Sequence, residues 1–448
     1  MDLHVAREIG LVVAAAVAGS VASSLLACVP GLHVYNVLGL IFIGFHMMAG
    51  HGVAVPTEVA FPLIAGMMVG YAMLNTVPSV LLAAPDESAL FTVLPGQKYF
   101  MAGKGYEGTL VTAAGGLAGL FVVVLLIGPL APRFLSAARL VFQPHIHWIV
   151  WCVITFMIMS EWPKGGLSGQ GGWSKFVEGW KTTSAGLLTF LLSGLLGFTL
   201  MFRSPIPAEV AFQSLLPAFV GLFTLPWLLI NIVSRVEVPP QTYRLSAVSG
   251  ASVARGAFAG GLGGGFAAFF PAITGGVGGL LAGHATALRD DRAFLISQGA
   301  SKVVYYVGAF LLCFVPTAHV TRGGGAWMLR GMFTPMGYHD YYMVLAALAL
   351  SGAVSFLLIG PLARATIALV TRFGYQRLSL LSLAVIVALV AAITGIMGLG
   401  VMLVATGIGL IPVLFGSRRM NCLGVILLPL ACNMSGVGGA VAAWLGLL

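Results

Sequence analysis

Residues 25–39 read LLACVPGLHVYNVLG, and residues 265–279 read GFAAFFPAITGGVGG. Each opens as an apolar run, meets a proline (Pro30 or Pro271), and continues through small and polar residues. Proline lacks an N–H and clashes with the preceding turn, so no straight helix runs through either point. A helix restarting just beyond would present unpaired N–H groups and the positive end of its dipole. Such groups are tolerated at membrane depth only where protein surrounds them or a cavity is lined. Both stretches therefore read as broken or re-entrant helices inside a helical membrane protein.

The rest of the chain agrees. Of 448 residues, 59% are hydrophobic and 8% charged. A soluble domain carries about 25% charge, so a soluble enzyme, a disordered chain and a secreted disulfide scaffold are excluded. Sixty glycines without a G-X-Y period exclude collagen. At about 20 apolar residues per crossing, or about 35 with its connection, the length allows about a dozen spans. Apolar stretches lie near 9–29, 59–84, 110–130, 145–160, 182–202, 211–234, 250–270, 300–318, 341–362, 379–397, 399–416 and 420–445. The net charge of +9 fits membrane topology and anionic lipid headgroups, not nucleic acid. Arg133 and Arg139 favour a cytoplasmic 131–143 loop, whereas Lys164, Lys175 and Lys181 beyond the next stretch are offset by Glu161 and Glu178. The five cysteines have no metal-like spacing and read as small core residues.

Two internal matches have nearly the same offset. LLIGPLA occurs at 125–131 and again at 357–363, an offset of 232, and setting Pro30 on Pro271 gives 241. The expected fold is an all-α polytopic membrane protein of two related halves, 1–235 and 236–448, each with one broken segment. That plan recurs in secondary transporters.

Pro30 and Gly31 open the first candidate site, with His33 and Asn36 three residues apart on one helix face. In the second copy Pro271 precedes Thr274, Gly275 and Gly276, with Thr274 at the position of His33. Two helix starts of this kind suit a carboxylate, phosphate or anionic headgroup. Behind the second lies Gly260-Gly261-Leu262-Gly263-Gly264-Gly265, read as backbone lining a site or as a hinge. Asp86 and Glu87 follow an apolar stretch directly and are candidates for coupling transport to H+ or Na+. Asn433, in the interrupted last stretch, is a candidate to line the same site. Asp290 and Asp291 beside Arg289 and Arg292 read as an aqueous loop, and His145 and His147 before Trp148 as an interfacial belt. His46, His51 and Glu58 do not have the HExxH spacing and read as interfacial packing. Arg418 and Arg419 sit in a short turn between spans and read as a positive-inside or headgroup anchor. No nucleotide-binding loop, hydrolase elbow or zinc cluster stands out, so no catalytic residue, cofactor or metal is expected.

With these residues in order, the chain resembles the TctA family, the large membrane subunits of tripartite tricarboxylate transporters, in a short, divergent form. The resemblance rests on the Pro-Gly motif at 30–36, the Pro-Ser, Ala-Pro-Asp-Glu and Leu-Pro-Gly series at 78–96, and the 103–108 stretch GKGYEG. The Pro271 segment and the ending Ile411-Pro412, Gly416, Arg418-Arg419, Gly424 complete it. It implies ion-gradient-driven transport of a di- or tricarboxylate by alternating access in the cell membrane. It also implies a small membrane subunit and a soluble substrate-binding protein as partners, with substrate held by the two broken segments. The chain departs from the family in its Pro-Ala-Ile-Thr second motif and in the bulk of His33 and Tyr35. A more distant similarity is to proteins that move polyprenyl-phosphate carriers. A separate alternative is an integral-membrane enzyme acting on a lipid-linked substrate through His33, His46 and the acids.

Overall fold

The computed structural model describes residues 3–162, 171–207, 214–234, 237–286, 288, 290–316 and 318–448; Lys164 and Arg289 lie outside the described residues. Every regular element among the described residues is helical. The chain runs α1 (Leu3–Leu26), α2 (Val34–Gly50), α3 (Thr57–Leu74), α4 (Thr76–Leu81), α5 (Val93–Met101), α6 (Gly105–Phe121) and α7 (Gly128–Phe142). It continues through α8 (Ile146–Met159), α9 (Gly172–Phe202), α10 (Leu215–Phe219), α11 (Leu225–Val233), α12 (Gly250–Phe269) and α13 (Gly275–Ala285). The last elements are α14 (Asp291–Leu312), α15 (Gly323–Arg330), α16 (Gly337–Phe373), α17 (Tyr375–Phe415), α18 (Gly424–Met434) and α19 (Gly438–Trp444).

Eight of the described helical runs are long and apolar enough to cross a membrane, and a ninth forms if the pair bent by 117° after α17 counts as one span. The chain is an all-α, multi-pass membrane protein. The run Gly105–Met159 has 55 residues, far beyond one crossing. It carries a π turn at 122–127, Pro132 and a 3-10 turn at 143–145, which divide it near the expected boundary between spans. The 41 residues of α17 divide at Gly395, whose φ of 65° and ψ of −164° are not helical. This break falls inside the apolar stretch 379–397, two residues before its expected end.

The chain forms two compact units, one from Met1–Leu140 with Ser234–Ser379 and the other from Val141–Val233 with Leu380–Leu448. Each unit thus draws on both of the stretches 1–235 and 236–448. In the first unit α1 packs along α3 and α12 along α14, while α6 lies against α14 and α16 against α3. Small residues make these approaches possible, as between membrane helices generally. Gly256, Gly260 and Gly264 recur every fourth residue of α12, and a Cβ at each would run into the carbonyl of Ala293, Ser297 or Ser301 on α14. The expected hinge or exposed backbone at 260–265 is therefore corrected: the run lies inside continuous α12, with Gly260 and Gly264 against α14 and Gly263 against Gly278 of α13.

Both broken segments take the expected form. After Pro30 the chain turns at Gly31 with φ of 78°, and after Pro271 it turns at Ala272 with φ of 59°. His33 and Thr274 follow in extended conformation (φ −84°, ψ 144° and φ −87°, ψ 161°) and cap α2 and α13. The Pro-Ala departure leaves the turn intact. Alanine accepts the left-handed conformation at a cost of about 1–2 kcal/mol, which a bulkier side chain would raise.

Candidate functional site

The site lies in the first unit and is built around the non-helical connection after α4. His33 caps α2 through its ring: Nδ1 accepts the Tyr35 N–H at 3.1 Å. An imidazole accepting at Nδ1 carries its proton on Nε2. That nitrogen points away from α2, 2.9 Å from the Tyr306 hydroxyl and 3.2 Å from Glu87 Oε1. Tyr35 and Tyr71 flank the ring, with centroids 4.6 and 4.8 Å away.

The second cap reaches the same acid. Thr274 Oγ1 donates to the Glu87 carbonyl at 3.1 Å while turned toward the Val277 N–H of α13. Gly275 offers its carbonyl to Ser301 Oγ at 2.6 Å. Gly276 lies so close to the connection that a Cβ there would stand 2.9 Å from the Ser88 carbonyl. Glu87 is thus met by both helix starts, one at its side chain and one at its backbone.

Asp86 is held from several sides. Its Oδ1 accepts the N–H groups of Ser88 and Ala89 at 3.0 and 2.8 Å, and its Oδ2 accepts the Tyr71 hydroxyl at 2.9 Å. The Tyr306 hydroxyl is 3.1 Å from Asp86 Oδ2 and 3.3 Å from Glu87 Oε1, and accepts from Ser88 Oγ at 3.0 Å. One hydroxyl hydrogen cannot serve every acceptor there, so the proton is shared among them. Burial, with the Glu87 carboxylate beside it, pushes the Asp86 carboxyl above the ordinary carboxylate range. Lys302 supplies a cation: it is 3% exposed, its Nζ donates to Thr76 Oγ1 at 2.9 Å, and its charge acts on Asp86. Two adjacent buried carboxyl groups, one lysine and one imidazole meet here, so with a neutral imidazole the set holds one more acid than the lysine offsets.

His33, Asp86 and Glu87 present ligand-type atoms within 4.8 Å of one another. The donor set does not suit a metal ion. Both Asp86 oxygens and Glu87 Oε1 already accept N–H or O–H donors, and His33 Nε2 carries a proton in this arrangement.

Of the residues singled out in the sequence, His33, Asp86, Glu87, Thr274, Gly275 and Gly276 meet here. Pro30, Gly31 and Pro271 shape the approaches to the two helix starts, and buried Asn36 lies in the first turn of α2. Asn433 belongs to the other unit, exposed, with its amide 3.1 Å from Met201 Sδ. His46 and His51 are exposed on and just after α2. Asp290 caps α14, Asp291 pairs with Lys98 at 3.1 Å, and Arg292 pairs with buried Glu107 at 2.9 Å. Sequence reasoning passed over Lys302, Tyr71, Tyr306 and Ser88. Lys302 had a signal of its own, a charge inside the apolar stretch 300–318, which at membrane depth marks function by default.

The comparisons with known proteins follow this geometry. The family described as "Tripartite tricarboxylate transporter TctA family" matches residues 13–424. The chain belongs to this family. It is also similar to an uncharacterized protein of Methanocaldococcus jannaschii, 22% identical over 417 residues that cover 92% of this chain and 96% of that protein. No solved structure matches it. Family membership makes the chain a component of a tricarboxylate-type transport system, and the cluster around Glu87 is a candidate site for that role.

Proposed function

We propose that the chain is the transport subunit of an ion-gradient-driven secondary transporter for a di- or tricarboxylate, and that the coupling ion is a proton. The observation that carries this reading is the meeting of both broken helices on Glu87, through His33 and Thr274. Helix starts favour anions, and here the capping side chains of both, His33 and Thr274, are turned to Glu87. Protonation of Asp86 removes one negative charge beside Glu87, and its new O–H donates to the Tyr71 or Tyr306 hydroxyl, which frees that hydroxyl's own hydrogen. A substrate carboxylate then takes up the released donors and the charge of Lys302. Proton and anion would enter together and leave together, which is symport. A sodium ion suits the cluster poorly, because Na+ needs free oxygen ligands and these are engaged by N–H and O–H groups.

Alternating access is part of this reading, with the stretches 1–235 and 236–448 as duplicated halves. The matching turns at Gly31 and Ala272 and the matching caps support the duplication. The family's description names a tripartite system, so a small membrane subunit and a soluble binding protein are the proposed partners, in the cell membrane. The test is uptake of labelled citrate, succinate and malate into proteoliposomes of the full chain, alone and with its partner subunits. Accumulation driven by a pH gradient supports the proposal. Uptake of none of them in either preparation, or accumulation driven by sodium alone, overturns it.

A further inference from the structure

The second unit holds a cationic site with no counterpart in the transport reading. Between α17 and α18 the chain runs Ser417-Arg418-Arg419-Met420-Asn421. The Arg419 guanidinium lies over the Trp227 ring, 4.0 Å from its centroid, and its Nη1 donates to the Phe223 carbonyl at 3.2 Å. Phe223 belongs to a π-type turn, Val220–Thr224, a distortion frequent at functional sites. Arg419 Nη2 is buried without a hydrogen-bond partner, as are Arg418 Nη1, Ser417 Oγ and Trp227 Nε1.

Glu161 feels the charge of Arg418 but is engaged elsewhere. Its two oxygens each accept the backbone N–H of Arg418 at 3.0 Å, and one also accepts the Asn421 amide. Among the described residues no carboxylate forms an ion pair with either guanidinium. Arginine does not escape burial by losing its proton. Arg418 and Arg419 are partly buried as whole residues, but these guanidinium nitrogens are enclosed with their donor capacity unspent, which is costly, so the arrangement suits an anion that the chain does not supply.

We propose that Ser417, Arg418, Arg419 and Trp227 form a binding site for an oxyanion of the phosphate class. Two guanidinium edges and a hydroxyl match the several acceptor oxygens of a phosphate, and the planar fork of Arg419 is held ready by its stacking on Trp227. An anionic phospholipid or free phosphate could supply the group. The lipid has the advantage of place, because the site occupies a short connection between apolar helices, where basic residues meet headgroups.

The experiment uses the purified full-length protein, stripped of bound lipid by detergent exchange. Native mass spectrometry and thermal unfolding are read with phosphatidylglycerol, with phosphatidylcholine and with inorganic phosphate. Wild type should retain and be stabilised by phosphatidylglycerol over phosphatidylcholine, and Arg419→Gln should weaken this by about tenfold or more, the loss of a charge-assisted contact. Arg419→Lys keeps the charge but loses the fork, so it should fall between the two. Should Arg419→Gln not fold, Arg419→Lys and wild type carry the test. Stabilisation by inorganic phosphate alone, lost in the same variants, supports the site with a soluble source. Equal response to both lipids and none to phosphate in folded wild type overturns the proposal, as does an Arg419→Lys variant indistinguishable from wild type.

Discussion

Asp86→Asn is the most informative single change in the transport site. Asparagine keeps an Oδ1 to accept the Ser88 and Ala89 N–H groups, now at 3.0 and 2.8 Å. Its amide faces the Tyr71 and Tyr306 hydroxyls, where a protonated acid would place its own hydrogen. The variant therefore imitates the protonated site permanently. The two N–H contacts at Oδ1 become neutral ones and those at the other oxygen reverse direction, a loss of about 1–2 kcal/mol that relief of the buried charge partly offsets, so the protein should stay folded. The transport consequence is larger. A pH difference of one unit is worth about 1.36 kcal/mol for each proton carried, which is about a tenfold accumulation ratio. If Glu87 takes a second proton, the ratio rises to about a hundredfold. In proteoliposomes under an imposed pH gradient, Asp86→Asn should lose about tenfold of its accumulation while still exchanging labelled for unlabelled carboxylate. Wild-type accumulation by the variant would refute the coupling role of Asp86. Loss of exchange as well, in a folded variant, would make Asp86 part of substrate binding instead.

Four further expectations can be read by thermal unfolding in detergent. Gly260→Ala drives a Cβ into the Ser297 carbonyl and should cost about 1–3 kcal/mol. Gly265→Ala, with nothing within 4 Å of the added carbon, should instead gain up to about 1 kcal/mol of helix propensity. Ala272→Gly should be nearly neutral, since relief of the left-handed strain is offset by a freer unfolded chain, whereas Ala272→Val should be markedly destabilising and abolish uptake. Burial holds the Glu161 carboxyl above its ordinary value, so the folded protein binds that proton more tightly than the unfolded chain does. Wild type should then be most favoured over Glu161→Gln at low pH. That advantage should shrink as pH rises from the ordinary carboxylate range through the raised one. A constant difference across pH would show that Glu161 does not titrate as its burial implies.

The membrane class, the two breaks and the acids were legible because each is a local signal. Pro30 and Pro271 interrupt apolar runs, and Asp86-Glu87 ends one. The convergence was not legible, since His33, Glu87, Thr274 and Tyr306 are far apart in sequence and meet only through helix packing. Lys302 stayed hidden inside an otherwise apolar stretch read for its average. The glycine run at 260–265 was misleading for a physical reason: a glycine that admits a neighbouring carbonyl looks, in sequence, like one that opens a hinge. The Pro-Ala pair at 271–272 looked like a departure because residue type was compared where backbone conformation is the shared quantity. At Arg418-Arg419 the charge was evident, but the stacking on Trp227 and the separate engagement of Glu161 were not.

The length of α16 bears on orientation. Its 37 residues extend about 55 Å at ~1.5 Å per residue, well beyond a hydrocarbon layer of about 30 Å. Observed tilts reach only about 40°, too little to absorb the excess. Several turns must therefore stand clear of the lipid tails. Arg364 and Arg372 mark the C-terminal turns as one end that emerges, followed by Arg377 at the start of α17. By the positive-inside tendency such a basic edge is expected on the side from which the chain was inserted. A single reporter fused after Phe373 would therefore test on which side of the membrane this end of α16 emerges.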